Sequence, residues 1–241
     1  MKWVLTPDEF AHVWATETDL DRRPYPVNMI PESTVRTESQ YAALRLPSRY
    51  ARNTDPDLTA ALLLCTRPDA TTFTVSGRRG LPGTEAEQIL AFAAVVHRHA
   101  ALLVARPDAV SVTVCHARGV GERLVAAIGS APAGKAGPMR EPQDAVLDPA
   151  TDAGTDGDIT APRRPGAARF RRTLRAPVDS RGFITVTVAP DNPMSPPTRH
   201  RTWLDITGDG RYLLSTAAEL TLTPVGDAEF AAVLLRLAGI G

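Results

Sequence analysis

The apolar positions of the chain follow two rhythms. Near the N-terminus, Phe10, Val13 and Trp14 recur at i, i+3 and i+4, the spacing that gathers side chains on one face of a helix. The residues before them start that helix. Thr6 suits the N-cap, Pro7 the first helical position, and Glu9 is placed to complete a capping box, with Leu5 and Phe10 set to close a hydrophobic staple. Further along the rhythm shortens. Thr71–Ser76 (TTFTVS) is β-branched, Ala109–Cys115 (AVSVTVC) alternates, and Phe183–Val188 (FITVTV) is strongly β, so all three are predicted strands. TWLDI, RYLLST and ELTLTP follow as further strands, and Asp227–Leu237 is an amphipathic helix stopped by Gly239.

Residues 84–105, TEAEQILAFAAVVHRHAALLVA, read two ways. As one helix they would be apolar nearly all round; as ILAFAAVV and AALLVA they form a hairpin with His97-Arg98-His99 at the turn. The hairpin is favoured, because AVSVTVC then extends it to a three-strand meander. Leu58–Cys65 and part of 37–46 are helix-prone among the breaking prolines of 24–56, and Gly119–Ile128 is a helix stopped by Gly129.

The order of elements repeats. Residues 110–129 and 220–239 are each twenty residues of strand, turn, helix and stop glycine, and each follows a meander. The pattern predicts an α+β fold with a central antiparallel sheet and quasi-twofold related halves, 1–129 and 169–241. Between them, residues 130–168 hold six prolines, five glycines and few large apolar side chains. Such a segment buries too little surface to offset its ordering entropy, so it is expected to be a disordered linker within a single 1–241 domain.

Composition narrows the function. Twenty-seven basic residues balance twenty-seven acidic ones, so no overall field draws the chain to nucleic acid or to a membrane. The N-terminus has no apolar core of a secretory signal, the longest apolar run is the eight residues Ile89–Val96, and two cysteines make no disulfide framework. A soluble cytoplasmic protein with two buried thiols is expected. The richest local charge is RRPGAARFRRTLR, residues 163–175, whose arginines and Phe170 offer a second reading as a nucleic-acid contact. An acidic block just before it favours a solvated linker end.

Candidate chemistry is sparse. In RTWLDITGDGRYLLST, residues 201–216, Asp205, Thr207, Asp209 and Gly210 occupy EF-hand places one, three, five and six. The twelfth place, which needs a bidentate glutamate, is Thr216. A strand-to-strand turn is the expectation, with glycines supplying positive φ and both aspartates capping backbone amides. His97, His99, Cys115 and His116 are zinc-ligand types without zinc spacing. Neither a metal nor a cofactor is expected, and no nucleophile, base and orienting group assemble into a catalytic set.

Two segments resemble a known family. LTPDEFAHVW, with Glu9, Phe10 and Trp14, and TWLDITGDGRYLL, with Trp203, Asp205, Gly210, Arg211 and Tyr212, are similar to the two ends of EspG-type proteins, with Arg181-Gly182-Phe183 preceding the second. These are chaperones associated with ESX (type VII) secretion in actinobacteria. The resemblance implies a cytosolic, non-enzymatic protein with a quasi-twofold antiparallel sheet and flanking helical bundles. It implies a PE/PPE-type pair as partner, bound at the apolar tip of the PPE protein and kept soluble until export, by a monomer or weak homodimer. Such a task needs an exposed apolar surface. Phe183, Ile184, Trp203, Leu204 and Tyr212 are the candidates on the C-terminal sheet, although each also reads as core. Met194, in the loop DNPMSPP, is the candidate for an adaptable exposed contact.

Overall fold

A computed structural model describes residues 1–30, 35, 37–80, 85–147 and 165–241. In chain order the elements are β1 (Lys2–Leu5), α1 (Pro7–Thr18), a 3-10 turn (Val27–Met29), α2 (Glu38–Ala43), α3 (Leu46–Arg49), α4 (Pro56–Cys65), β2 (Thr71–Arg79), β3 (Glu87–Val96), β4 (His99–Ala105), β5 (Val110–His116) and α5 (Val120–Ile128). The C-terminal half continues with β6 (Met139–Pro142), α6 (Gln143–Leu147), α7 (Pro165–Leu174), β7 (Val178–Thr187), β8 (Arg199–Ile206), β9 (Gly210–Thr216), β10 (Glu219–Pro224) and α8 (Asp227–Ala238).

The strands form one antiparallel sheet in the order β1-β5-β4-β3-β2-β7-β8-β9-β10-β6. Reading outward from the β2–β7 seam, each half runs through its own meander and ends on its own first strand, β1 or β6. This is the quasi-twofold arrangement that the repeated strand-turn-helix segments predict. The ambiguous stretch resolves as the expected hairpin, with Val96 paired to His99 and with His97 in the left-handed region at φ 53°.

Local chemistry explains the start of the fold. The Thr6 hydroxyl accepts from the Glu9 amide at 3.3 Å and the Glu9 carboxylate accepts from the Thr6 amide at 2.9 Å, closing the capping box. Burial works against the Glu9 charge, but the Thr6 amide, the Tyr50 hydroxyl and Arg49 together hold its carboxyl below the usual range. Phe10, Val13 and Trp14 then turn inward as their spacing requires.

Alternation along each strand divides the core by face. One face carries Phe73, Val75, Ala91, Ala93, Ile184, Val186 and Trp203 under α5 and α8, with Leu124, Ile128, Phe230 and Leu234 packed down on them. The opposite face is covered twice. On its N-terminal part, Leu90, Phe92, Leu103 and Val112 lie under Phe10, Trp14 and Leu62 of α1 and α4. On its C-terminal part, Tyr212, Leu220 and Leu222 lie under Val146 of α6 and Phe170 of α7.

The expected linker disorder is corrected where the chain is described. Residues 139–142 add the edge strand β6 to β10, residues 143–147 are helical, and Met139 and Val146 are buried. Composition misleads here because backbone groups hold the segment down. The Gly134 amide donates to the Arg211 carbonyl at 3.0 Å, and the amides of Lys135 and Ala136 donate to the Asp209 carboxylate and the Tyr212 hydroxyl at 2.6 and 2.9 Å. The arginine run from Pro165 is the helix α7, with Phe170 fully buried and Arg171 donating to the Ala145 carbonyl at 2.6 Å. Phe170 is therefore core and offers no stacking surface for a base. Residues 148–164 of the expected linker lie outside the described residues.

Candidate partner-binding surface

The aspartate-glycine stretch is a scaffold. Gly208 and Gly210 adopt φ of 73° and 146° and reverse the chain between β8 and β9, as expected of a turn. Asp209 accepts from a backbone amide, that of Lys135, and also from the Tyr212 hydroxyl at 2.7 Å. Asp205 departs from expectation. Its carboxylate accepts from Nε and Nη2 of Arg211, at 2.6 and 2.8 Å, with Arg211 fully buried and also donating to the Gly129 carbonyl at 2.7 Å and, through Nη1, to Asp227 at 3.2 Å. Burial and the Asp209 charge push the Tyr212 phenol above its usual pKa.

Trp203 is equally structural. Its indole lies across Gly182 and Gly77, which pair at the β2–β7 seam, and its Nε1 donates to the Ser180 hydroxyl at 3.0 Å. The TWLDITGDGRY motif thus joins the halves of the sheet and ties down the segment after α5. The histidines do not converge with Cys115. His99 and His116 face each other across β4 and β5, whereas Cys115 points to the opposite side of the sheet by alternation. Cys65 is buried as expected, and burial pushes its thiol up to about 12; Cys115 is half-buried.

The predicted contact residues therefore separate. Ile184, Trp203 and Tyr212 are core, with at most 1% of their surface exposed, and are withdrawn as contacts. Leu204 is half-buried, while Phe183 and Met194 are 68% and 87% exposed. Phe183 is exposed because of where the helices stop. Among the described residues the doubly covered face is bare at its centre, between the α1–α4 layer and the α6–α7 layer. There β2, β7 and β8 present Thr72, Thr74, Ser76, Arg78, Arg181, Phe183, Thr185 and Thr202, none of which belongs to a buried cluster.

The strand register orders this surface into rows. Leu90, Ser76, Phe183, Thr202 and Leu214 form one, and Gln88, Arg78, Arg181, Leu204 and Tyr212 the next, with Leu90 and Tyr212 buried under the helices at the row ends. Together with Met29 from the 3-10 turn, members of both rows line a groove of about 730 Å³. Met194 sits elsewhere. Its loop follows Thr187, which is four residues, or about 13 Å, along β7 from Phe183. Met29, Ser76, Arg78 and Leu90 were not singled out from the sequence. The only signal there was a run of alternate hydroxyl side chains on β2, a strand that turns out to be central.

The fold is that of an α+β protein built around one ten-stranded antiparallel sheet. The chain belongs to the EspG family, whose model it matches over residues 6–235. No curated protein matches it. Among solved structures it is similar to the type VII secretion system chaperone EspG5 of Mycobacterium tuberculosis, determined in complex with the PE25–PPE41 dimer. The TM-score is 0.61 at 12% identity, covering 96% of this chain and 94% of that one. That identity speaks to the shared fold. Among the described residues no helix is long and apolar enough to cross a membrane.

Proposed function

We propose that this chain is a cytosolic chaperone of type VII secretion that acts by binding, not by catalysis. Its partner is a PE/PPE-type pair, and the bare centre of the sheet covers the apolar tip of the PPE protein until export. The observation that carries this reading is Phe183, a large apolar side chain standing exposed between two helical layers in a chain of the EspG family. The half-buried Leu204 and the exposed Met29 supply apolar area beside it. A partner tip seated there exchanges two exposed apolar surfaces for one buried contact, which removes an aggregation site from the partner. The chaperone serves as a monomer or weak dimer.

Co-expression with a PE/PPE-type pair from the same locus tests the reading. A soluble complex on gel filtration is expected. Phe183→Asp buries an unpaired carboxylate at the contact and is expected to weaken the complex by about a hundredfold or more while the free chaperone keeps its melting temperature. Met194→Asp, at a distance from the groove, is expected to change affinity no more than about threefold, the scale of an ordinary surface substitution. A client that is equally soluble alone, with no complex eluting, refutes the chaperone function.

A further inference from the structure

We propose that Arg78 and Arg181 form a carboxylate clamp at one end of the groove, so that the partner segment seated on Phe183 carries an Asp or Glu side chain beside its apolar residues. This rests on the groove being the partner surface.

The two arginines are directly opposite each other across the β2–β7 seam. In an antiparallel pair, residues in register project to the same face, and like charges so placed destabilise the sheet. Both are exposed and both line the groove. Among the described residues nothing neutralises them. Their neighbours in the same cross-strand row are Gln88 and Leu204, and neither arginine has an ion pair among the described residues. Glu85 lines an adjoining hollow and pairs with neither.

Several other arginines of the chain have carboxylate partners. Arg79, one residue along β2 and turned to the opposite face, pairs with Glu87 at 3.3 Å and donates to the Ile128 carbonyl. Arg49, Arg67, Arg140 and Arg211 likewise have carboxylate partners. A like-charged pair left unmatched at a seam, in a chain of zero net charge, marks a site whose counter-charge arrives with the partner.

Chemistry identifies that counter-charge. A guanidinium presents a planar fork of N–H donors that fits a carboxylate, and two such forks enclose it from both sides. Arg181 lies two residues from Phe183 on the same face of β7, about 7 Å along the strand. A carboxylate one helical turn or less from an apolar anchor reaches both. The apolar contact then provides most of the affinity, and the clamp fixes which way round the segment lies and speeds encounter.

The test uses the full-length chaperone and the purified PE/PPE-type pair, with affinity measured by titration calorimetry from low to high salt. The double variant Arg78→Gln/Arg181→Gln is expected to bind roughly ten- to hundredfold more weakly at low salt and to lose most of the salt dependence of the parent. Its melting temperature is expected to stay equal or rise, because a repulsive pair has been removed. Replacing the acidic residues of the partner's contact segment one at a time by Asn or Gln is expected to find one that reproduces the loss and adds nothing to the double variant. If the double variant keeps both affinity and salt dependence while Phe183→Asp loses binding, the clamp is refuted and the groove stands. If the parent chaperone forms no complex, both are refuted.

Discussion

Arg211→Ala is expected to destabilise the protein by about 3–5 kcal/mol, the cost of removing one member of a buried ion pair. Arg211 has no exposed surface, and its guanidinium reaches the Asp205 carboxylate with two hydrogen bonds, the Gly129 carbonyl with a third and Asp227 with a fourth. It also stacks over the Phe230 ring at 5.3 Å. Truncation leaves Asp205 buried without its partner and the Gly129 carbonyl without its donor. It also frees the end of α5 from the start of α8. Against a total stability of about 5–15 kcal/mol, that loss is expected to move the urea midpoint far enough to see without difficulty. Replacing both members of the pair, with Asp205→Asn added to Arg211→Met, is expected to recover part of it, since no bare charge is then left inside. Urea midpoints equal to the parent would show that water reaches this cluster and that the pair is not a structural hub.

Gly182→Val is expected to be comparably damaging, for a steric reason. A Cβ at Gly182 would lie 2.1 Å from the Trp203 ring, 2.4 Å from the Ser76 carbonyl oxygen and 2.6 Å from the Gly77 Cα. The ring has little room to yield, because Trp203 is fully buried and held by Ser180. The backbone of β2 has less, because it is paired on both sides, to β3 and to β7. Overpacking of a well-packed core costs about 1–3 kcal/mol, and a clash with paired backbone belongs at or above the top of that range. Pairing the change with Trp203→Leu is expected to relieve only part of the loss, since the Ser76 and Gly77 contacts remain. A soluble double variant with parental stability would show that the seam can open without cost.

Much of this architecture was legible in local pattern. The capping box at Thr6 and Glu9, the alternation of AVSVTVC and the two strand-turn-helix segments are local signals, and each became the element it predicted. The hairpin at 87–105 needed only the choice between one all-round apolar helix and two strands, which the alternating run Ala109–Cys115 favoured and the pairing of Val96 with His99 bears out. What was not legible depends on residues distant in sequence. Residues 130–147 look disordered by composition because their order comes from Arg211, Asp209 and Tyr212, more than sixty positions away.

The surface divides in the same way. Alternation places Phe183 and Ile184 on opposite faces of β7, but which face stays bare depends on where α1, α4, α6 and α7 end. For that reason Ile184, Trp203 and Tyr212 were reasonable contacts from sequence and are core in the structure, while Arg78 and Ser76 went unnoticed. The motif resembling the family's C-terminal signature is explained as scaffold: Trp203 seals the glycine seam, and Asp205, Gly210 and Arg211 anchor the turn and the segment behind it.

The central claim is that the bare middle of the sheet is where the partner sits. Site-directed thiol labelling tests it most directly. With Cys115 replaced by alanine, and with Cys65 buried and its thiol held protonated, a Phe183→Cys variant carries one reactive thiol, at the groove. In the free chaperone it is expected to react rapidly with a maleimide dye. With a saturating PE/PPE-type pair bound, the rate is expected to fall tenfold or more, because closed contact excludes the reagent as it excludes water. A Met194→Cys variant in the same background is expected to react at the same rate in both states. Equal labelling of Phe183→Cys with and without the bound partner would contradict the account, and would move the partner surface to another face of the protein.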